Sequence, residues 1–393
     1  MKNAVANPGK KKIYSSKKPL SVCYYGSYDL NEPHNSTYLA GLKKAGIQVK
    51  EINNPPPTKR DEGSKYGSTI KFIALISIFF FNSTSLIFKL FKSNHFDALI
   101  VGYPGYFDLL PAKIYSILKR TPLIFNIHIS LYETLVIDRQ FFPKKTILAK
   151  LFKWYDRITI ELSDAVLVDT QSHCDFFSRL YHVPIGKFHR VFIGADPIFK
   201  PIKADEHSAV TVLFYGTFIP LQGIEYIVHA AKLLQEDPDI IFEIIGRGQT
   251  REKILRLAKQ LHVNNIRFIE WVDRHELVKK IANADICLGG QFGKTPKADL
   301  VIGYKCYQMM ACGKAIIVSN SSGNRELLTH GKDCYMCNPG NADDLAKAIL
   351  TLKNDRILCK SLATAIRNTF KSKCSFTRIG DELGKIITSS QSN

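Results

Sequence analysis

The residues best suited to chemistry in this sequence stand directly after short apolar runs. Gly216-Thr217 follows the run 210–215, Gly246-Arg247-Gly248 follows 240–245, and Gly26 follows 21–25. A glycine at such a point lets backbone approach a ligand, and a helix amino terminus opening after it favours a phosphate. Turn glycines also serve plain chain reversal, and none of these is a G-x-G-x-x-G fingerprint, so a nicotinamide-dependent oxidoreductase is not indicated. His128 closes the run 123–127, where an imidazole either meets a ligand or holds structure. Lys294, Lys297 and Lys305 bracket a loop containing Pro296 and Gly303, ahead of a short helical stretch carrying Gln308. That amide is neutral and both donates and accepts hydrogen bonds. The lysines read equally well as solvated side chains.

Positioning these residues requires a regular frame, and the chain has one. Runs rich in β-branched and aromatic residues recur at 21–25, 47–52, 98–101, 123–127, 165–168 and 191–193. Amphipathic segments at 35–44, 111–119, 150–162 and 172–180 separate most of them. The rhythm restarts after the turn-rich 194–201, with strands expected at 210–215, 240–245, 266–271, 286–288, 315–318 and 334–337. Helices fit between these at 224–234, 251–261, 274–284, 305–311 and 343–352. Alternation of this kind predicts an α/β protein of two doubly wound parallel sheets in tandem, with ligands bound where their strand ends face a cleft. The divisions expected are a basic flexible tail at 1–18, a first Rossmann-like domain at 19–195, a linker at 196–207 and a second domain at 208–372. A terminal helical segment at 373–393 either caps the second domain or crosses back to the first.

The chain has 393 residues, 45% hydrophobic and 23% charged, which suits two globular domains. Its net charge of +19 is uneven: residues 1–200 hold 28 Lys+Arg against 15 Asp+Glu, and the rest 26 against 20. Such a field attracts anionic membranes or phosphorylated ligands without choosing among them. Nothing matches an RNA-binding or zinc-finger signature, so no specific nucleic-acid partner is expected. Nine scattered cysteines, with no cleavable leader ahead of them, fit a reducing cytoplasm. The lone pair Cys334 and Cys337 reads as part of a strand rather than a metal site. Seventeen uncharged residues at 72–88 fall short of a bilayer span, so they read as a buried or interfacial helix. The expected location is the cytoplasm, with peripheral contact at the cytoplasmic face of the membrane.

A series of landmarks then carries a resemblance. In order stand Phe214-Tyr215-Gly216, Gln222-Gly223, Ile244-Ile245-Gly246-Arg247-Gly248, Ile266-Arg267-Phe268-Ile269-Glu270-Trp271-Val272, Ala282-Asn283-Ala284-Asp285, Ala311-Cys312-Gly313 and Gly323-Asn324-Arg325-Glu326. Over 208–370, and more loosely before it, the chain resembles the retaining GT-B glycosyltransferases of family 4, the glycosyl transferases group 1. The resemblance implies two Rossmann-like domains facing a cleft, the first on the acceptor side and the second on the donor side. It implies transfer of a sugar from a nucleoside diphosphate sugar to a glycan or lipid-linked acceptor, with anomeric configuration kept and no metal or other cofactor. By the same resemblance, backbone near Val272 holds the base, Gln308 meets the ribose, and Gly323 to Glu326 meet the diphosphate and sugar. Gly26 approaches the diphosphate or acceptor from the opposite domain, and His128 contacts the donor sugar.

The pattern is broken at four places. The family's two acids fall on Leu300 and Gln308, and its first-turn cations fall on Gly216's neighbour Thr217 and on Gln222. Arg247 and Lys305 are the substitute cations expected to hold the diphosphate, whose charge develops in the transition state. Asp299, one place from the missing acid, reads as a loop residue. The alternative is a noncatalytic relative that keeps the fold for binding or assembly.

Overall fold

The computed structural model describes residues 19–55, 84–206 and 208–391. The basic tail and most of the uncharged segment 72–88 lie outside the described residues. Among the described residues, two six-stranded parallel sheets form, in the orders β2-β1-β3-β4-β5-β6 and β12-β11-β10-β7-β8-β9. In the first, β1 is Ser21–Gly26, β2 Gln48–Asn53, β3 Ala98–Val101, β4 Leu123–Asn126, β5 Ala165–Val168 and β6 Phe188–Arg190. In the second, β7 is Val210–Tyr215, β8 Ile240–Ile245, β9 Ile266–Ile269, β10 Ile286–Gly290, β11 Ala315–Ser319 and β12 Tyr335–Cys337. Strands β3, β4, β5 and β11 are buried at every residue, as the central strands of parallel sheets must be when helices cover both faces.

The expected strand at 191–193 is displaced. The ladder runs Val166↔Phe188 to Val168↔Arg190, and the more apolar residues that follow are used elsewhere. Val191 packs with the first sheet's core, whereas Phe192 and Ile193 pack with the second sheet's core. That run is where the chain crosses between domains, so its hydrophobicity reflects two cores rather than one ladder. A helix at Arg356–Thr369 was not anticipated. Its inward residues Cys359, Leu362 and Ile366 are the only fully buried ones in the helix, too thin a periodic signal to stand out.

The terminal helix, Phe376–Ser390, lies on the first domain. Ile379, Leu383, Ile386 and Ile387 share a core with Val22, Tyr24 and Leu42, and Gln391 donates to the Asp97 carbonyl. Close approach to the helix Pro33–Lys44 depends on two glycines. A Cβ on Gly380 would collide with the Gly41 carbonyl oxygen, and one on Gly41 would lie 2.8 Å from Ile379 Cγ2. Gly380→Val should therefore destabilise the chain by about 1–3 kcal/mol through overpacking. Thermal unfolding checks this, and an unchanged midpoint would show that the helices do not pack at this distance.

No helix of the described residues is long and apolar enough to cross a membrane.

Candidate functional site

Strand order singles out two crevices. In each sheet the order reverses beside one strand, between β1 and β3 in the first and between β7 and β10 in the second. Open α/β sheets bind ligands at the carboxyl ends of such strands. The two crevices are lined differently.

In the first, the turn Gly26-Ser27 is already occupied from within. Asp108 Oδ2 accepts from the Ser27 amide at 2.6 Å, and Oδ1 faces the Ser27 hydroxyl at 3.4 Å. A buried carboxylate thus sits where a phosphate would have to approach Gly26, and the expected contact of Gly26 with a diphosphate is not supported. The sequence offered no sign of this, because Asp108 is 81 residues away from Ser27.

In the second crevice stands an ammonium. Lys305, in the first turn of the helix Tyr304–Cys312, is buried, and its Nζ donates to Gln222 Oε1 at 2.5 Å. It lies 4.2 Å from the Phe214 ring centroid, a cation–π distance. Gly216 and Gly290 form its roof: a Cβ on either would lie 2.9 or 2.8 Å from Nζ. Both have positive φ, +148° and +82°, which only glycine adopts without strain. Burial pulls the Lys305 pKa down from 10.5 to about 7. Its neutral amine form is therefore poised to take a proton when an anion arrives. Lys305 thus stands within hydrogen-bond distance of Gln222, the position where the resemblance expects a cation, and Thr217 is half-buried beside Gly216.

Arg247 lies between Gly246 and Gly248 at the end of β8, exposed, with its guanidinium 5.9 Å from the Trp271 ring centroid. Trp271 and half-buried Val272 follow β9. The rim of the second crevice therefore offers a cation and an exposed indole, and its floor offers Lys305.

Gln308 is not directed at an open ribose site. It is buried, and its Oε1 accepts from the buried Tyr215 hydroxyl at 3.0 Å. Gly323 packs against the Leu300 carbonyl, 2.6 Å from where its Cβ would stand. Glu326 serves the other domain: its oxygens accept from the Gln171 and Ser172 amides at 2.6 and 2.7 Å. These amides open the helix Gln171–Tyr181, and a helix amino terminus attracts a carboxylate. The expected role of Glu326 toward diphosphate is thus not supported. Asp299 accepts from the Ser322 amide, a loop role.

The domains also meet through buried charge that the sequence did not reveal. Lys297 donates to Glu133 Oε2 at 3.2 Å, and His173 Nε2 lies 3.1 Å from Glu133 Oε1 while its Nδ1 lies 3.0 Å from Asp169. Burial would raise the Glu133 pKa, but Lys297 and His173 bring it to about 2. Burial would lower that of His173, but Glu133 and Asp169 raise it to about 9. Lys297 is therefore a crosslink between domains, not a free phosphate ligand. Thr170 Oγ1 adds a bond to the Leu300 carbonyl.

Beside this cluster, His128 adopts φ +42° and stacks on His34 with centroids 3.1 Å apart. Burial, then His34 and Lys297, push the His128 pKa well below the usual range, and burial does the same for His34. Both rings are neutral near pH 7. His128 Nδ1 and both His34 ring nitrogens are buried without hydrogen-bond partners.

Residues 197–369 match the family described as glycosyl transferases group 1. An uncharacterized glycosyltransferase of Methanocaldococcus jannaschii is 29% identical over 44% of this chain and 47% of its own length, so the match spans about half of that relative. Alpha-D-kanosaminyltransferase of Streptomyces kanamyceticus is 22% identical over 72% of this chain and 74% of its own. The structure of Anabaena HepE in complex with UDP superposes with a TM-score of 0.66, at 14% identity, over 94% of this chain and all of that one. The two six-stranded parallel sheets, which superpose on that structure over nearly the whole chain, have the two-domain GT-B fold, and within it residues 197–369 are similar to the glycosyl transferases group 1.

Proposed function

We propose that the chain transfers a sugar from a nucleoside diphosphate sugar to a hydroxyl of a glycan or lipid-linked acceptor, with retention at the anomeric carbon and no metal. The observation that carries this reading is the buried Lys305 ammonium beneath Gly216 and Gly290, at the switch point of the second sheet. The similar protein of Streptomyces kanamyceticus is named a kanosaminyltransferase, and HepE carries UDP in its structure.

In this reading the diphosphate lies over Lys305, with Arg247 at its outer edge and the base against Trp271 and the backbone of Val272. The acceptor hydroxyl attacks the anomeric carbon as the bond to the β-phosphate oxygen breaks. Negative charge gathers on the departing phosphate, where Lys305 stabilises it, and the acceptor proton leaves with that phosphate. His128, neutral and with a free ring nitrogen, hydrogen bonds to a sugar hydroxyl. Gln308 supports Tyr215 rather than meeting the ribose, and Thr217 and Gln222 line the turn.

Isothermal titration with uridine, guanosine and adenosine diphosphates, followed by transfer assays with the matching sugars, tests the proposal. Absence of nucleoside diphosphate binding would overturn it. The replaced acids at Leu300 and Gln308 favour a second reading, a relative that binds without transfer, and binding without hydrolysis or transfer would select it. Anomeric NMR of the product reads retention, and chelator-resistant activity reads metal independence.

His128→Ala should lower transfer about 10–100-fold while leaving nucleoside diphosphate affinity within a factor of about three, since it touches the sugar. Arg247→Ala should weaken that affinity about tenfold, being a charge-assisted contact at an exposed rim. Equal loss of binding and transfer in the histidine variant would assign His128 to folding.

A further inference from the structure

Two helices of the first domain carry apolar residues on both faces. In Leu109–Lys119, Leu109, Ala112, Tyr115 and Ser116 are buried, while Leu110, Ile114, Ile117 and Leu118 are exposed. Spacings of four, three and one place the exposed four on a single stripe. In Ile147–Leu162, Ala149, Phe152, Asp156, Thr159 and Ile160 are buried, while Ile147, Leu148, Leu151 and Trp154 are exposed on another stripe. Leu118 is 67% exposed, Trp154 57% and Ile147 84%, so these are whole side chains in water rather than edges. The helices pack on each other, and the exposed Phe107 ring just before the first lies 5.9 Å from that of Tyr155 on the second. Clustered exposed apolar side chains of this kind mark an interaction site.

Charge selects the occupant. Residues 103–162 contain nine cations, Lys and Arg, against five acids. Asp108, Glu133, Asp138 and Asp156 are buried and the exposed Glu161 is paired with Arg157 at 2.7 Å, while Lys119, Arg120, Lys144, Lys145 and Lys150 are exposed. The solvent-facing surface of this region is therefore apolar and basic, with most of its negative charge turned inward. Apolar stripes edged by lysine and arginine, with a tryptophan among them, have the composition of helices that lie in a bilayer interface. Exposed cations there are drawn to anionic headgroups.

We propose that the helices Leu109–Lys119 and Ile147–Leu162 form a docking surface for an anionic lipid bilayer, with Leu118, Ile147 and Trp154 entering the acyl boundary. It lies outside the donor crevice and does not depend on the nucleotide reading.

The two tryptophans of the chain, Trp154 and Trp271, allow a direct test. With Trp271→Phe to isolate Trp154, the full chain is mixed with phosphatidylcholine vesicles with and without phosphatidylglycerol. Cosedimentation should require phosphatidylglycerol and weaken with salt. Trp154 emission should shift to the blue, and lipids brominated on their acyl chains should quench it. Leu118→Glu and the pair Lys144→Glu, Lys145→Glu should each weaken binding at least tenfold while thermal unfolding stays unchanged, since these side chains are exposed. No cosedimentation, or cosedimentation without quenching of Trp154, would overturn the proposal. A dimer in sedimentation equilibrium that Leu118→Glu dissociates would also overturn it, making the face a contact between copies.

Discussion

Lys305→Met should reduce nucleoside diphosphate affinity about 10–100-fold and transfer by about a further tenfold, because the lost charge matters most on the leaving phosphate. Methionine fills nearly the same volume and asks for no solvation, so the second domain should fold as before. The pH dependence gives an independent signature. In the free protein Lys305 loses its proton near pH 7, and a bound diphosphate raises that value. Above pH 7, binding therefore takes up a proton, and affinity falls as pH rises. Calorimetry in buffers of different ionisation enthalpy should show uptake approaching one proton at pH 9 in the wild type and none in Lys305→Met. The same depressed pKa makes the free protein gain stability as pH rises from about 7 toward 10.5, since the unfolded chain keeps its proton longer. Lys305→Met should remove that slope. Equal proton uptake in both proteins would assign the diphosphate to another cation.

Lys297→Met should be the most destabilising single change at the domain interface, by about 3–5 kcal/mol, because it leaves Glu133 buried with less compensation. Adding Glu133→Gln should recover much of the loss, and the double-mutant cycle measures the coupling between the two sites. Two pKa shifts set the pH window. Glu133 is lowered to about 2, so its contribution is present above about pH 4.5 and lost as pH falls through 2. His173 is raised to about 9, so its contribution is present below about pH 6.5 and lost as pH rises through 9. Interface stability should therefore be greatest between pH 4.5 and 6.5. Thermal unfolding across pH checks this, and a Lys297→Met protein as stable as the wild type would show that the domains close without the pair.

Much of the frame was legible because it rests on local regularities. A parallel strand buried on both faces needs a continuous apolar run, and a glycine after it marks the ligand edge, so Gly216, Gly246 and the run before His128 stand out in the sequence. The same logic failed at 191–193, where an apolar run serves two cores at a domain crossing instead of a ladder. It also failed where a residue's partner was distant. Asp108, Glu326 and Lys297 look alike in sequence to any surface charge, and each is committed to a group more than 80 residues away.

By itself, the sequence determined the two doubly wound units, the glycine turns and the presence of lysines where expected acids and cations were missing. Only tertiary structure decided which charges are used up internally. Electrostatic roles depend on distance and burial, and neither is encoded locally. Asp108 closes the first crevice, Lys297 and Glu326 tie the domains together, and Gln308 is held by Tyr215. Lys305 remains, desolvated beneath Gly216 and Gly290, because the fold brings the end of β7, the end of β10 and the first turn of the following helix to one point.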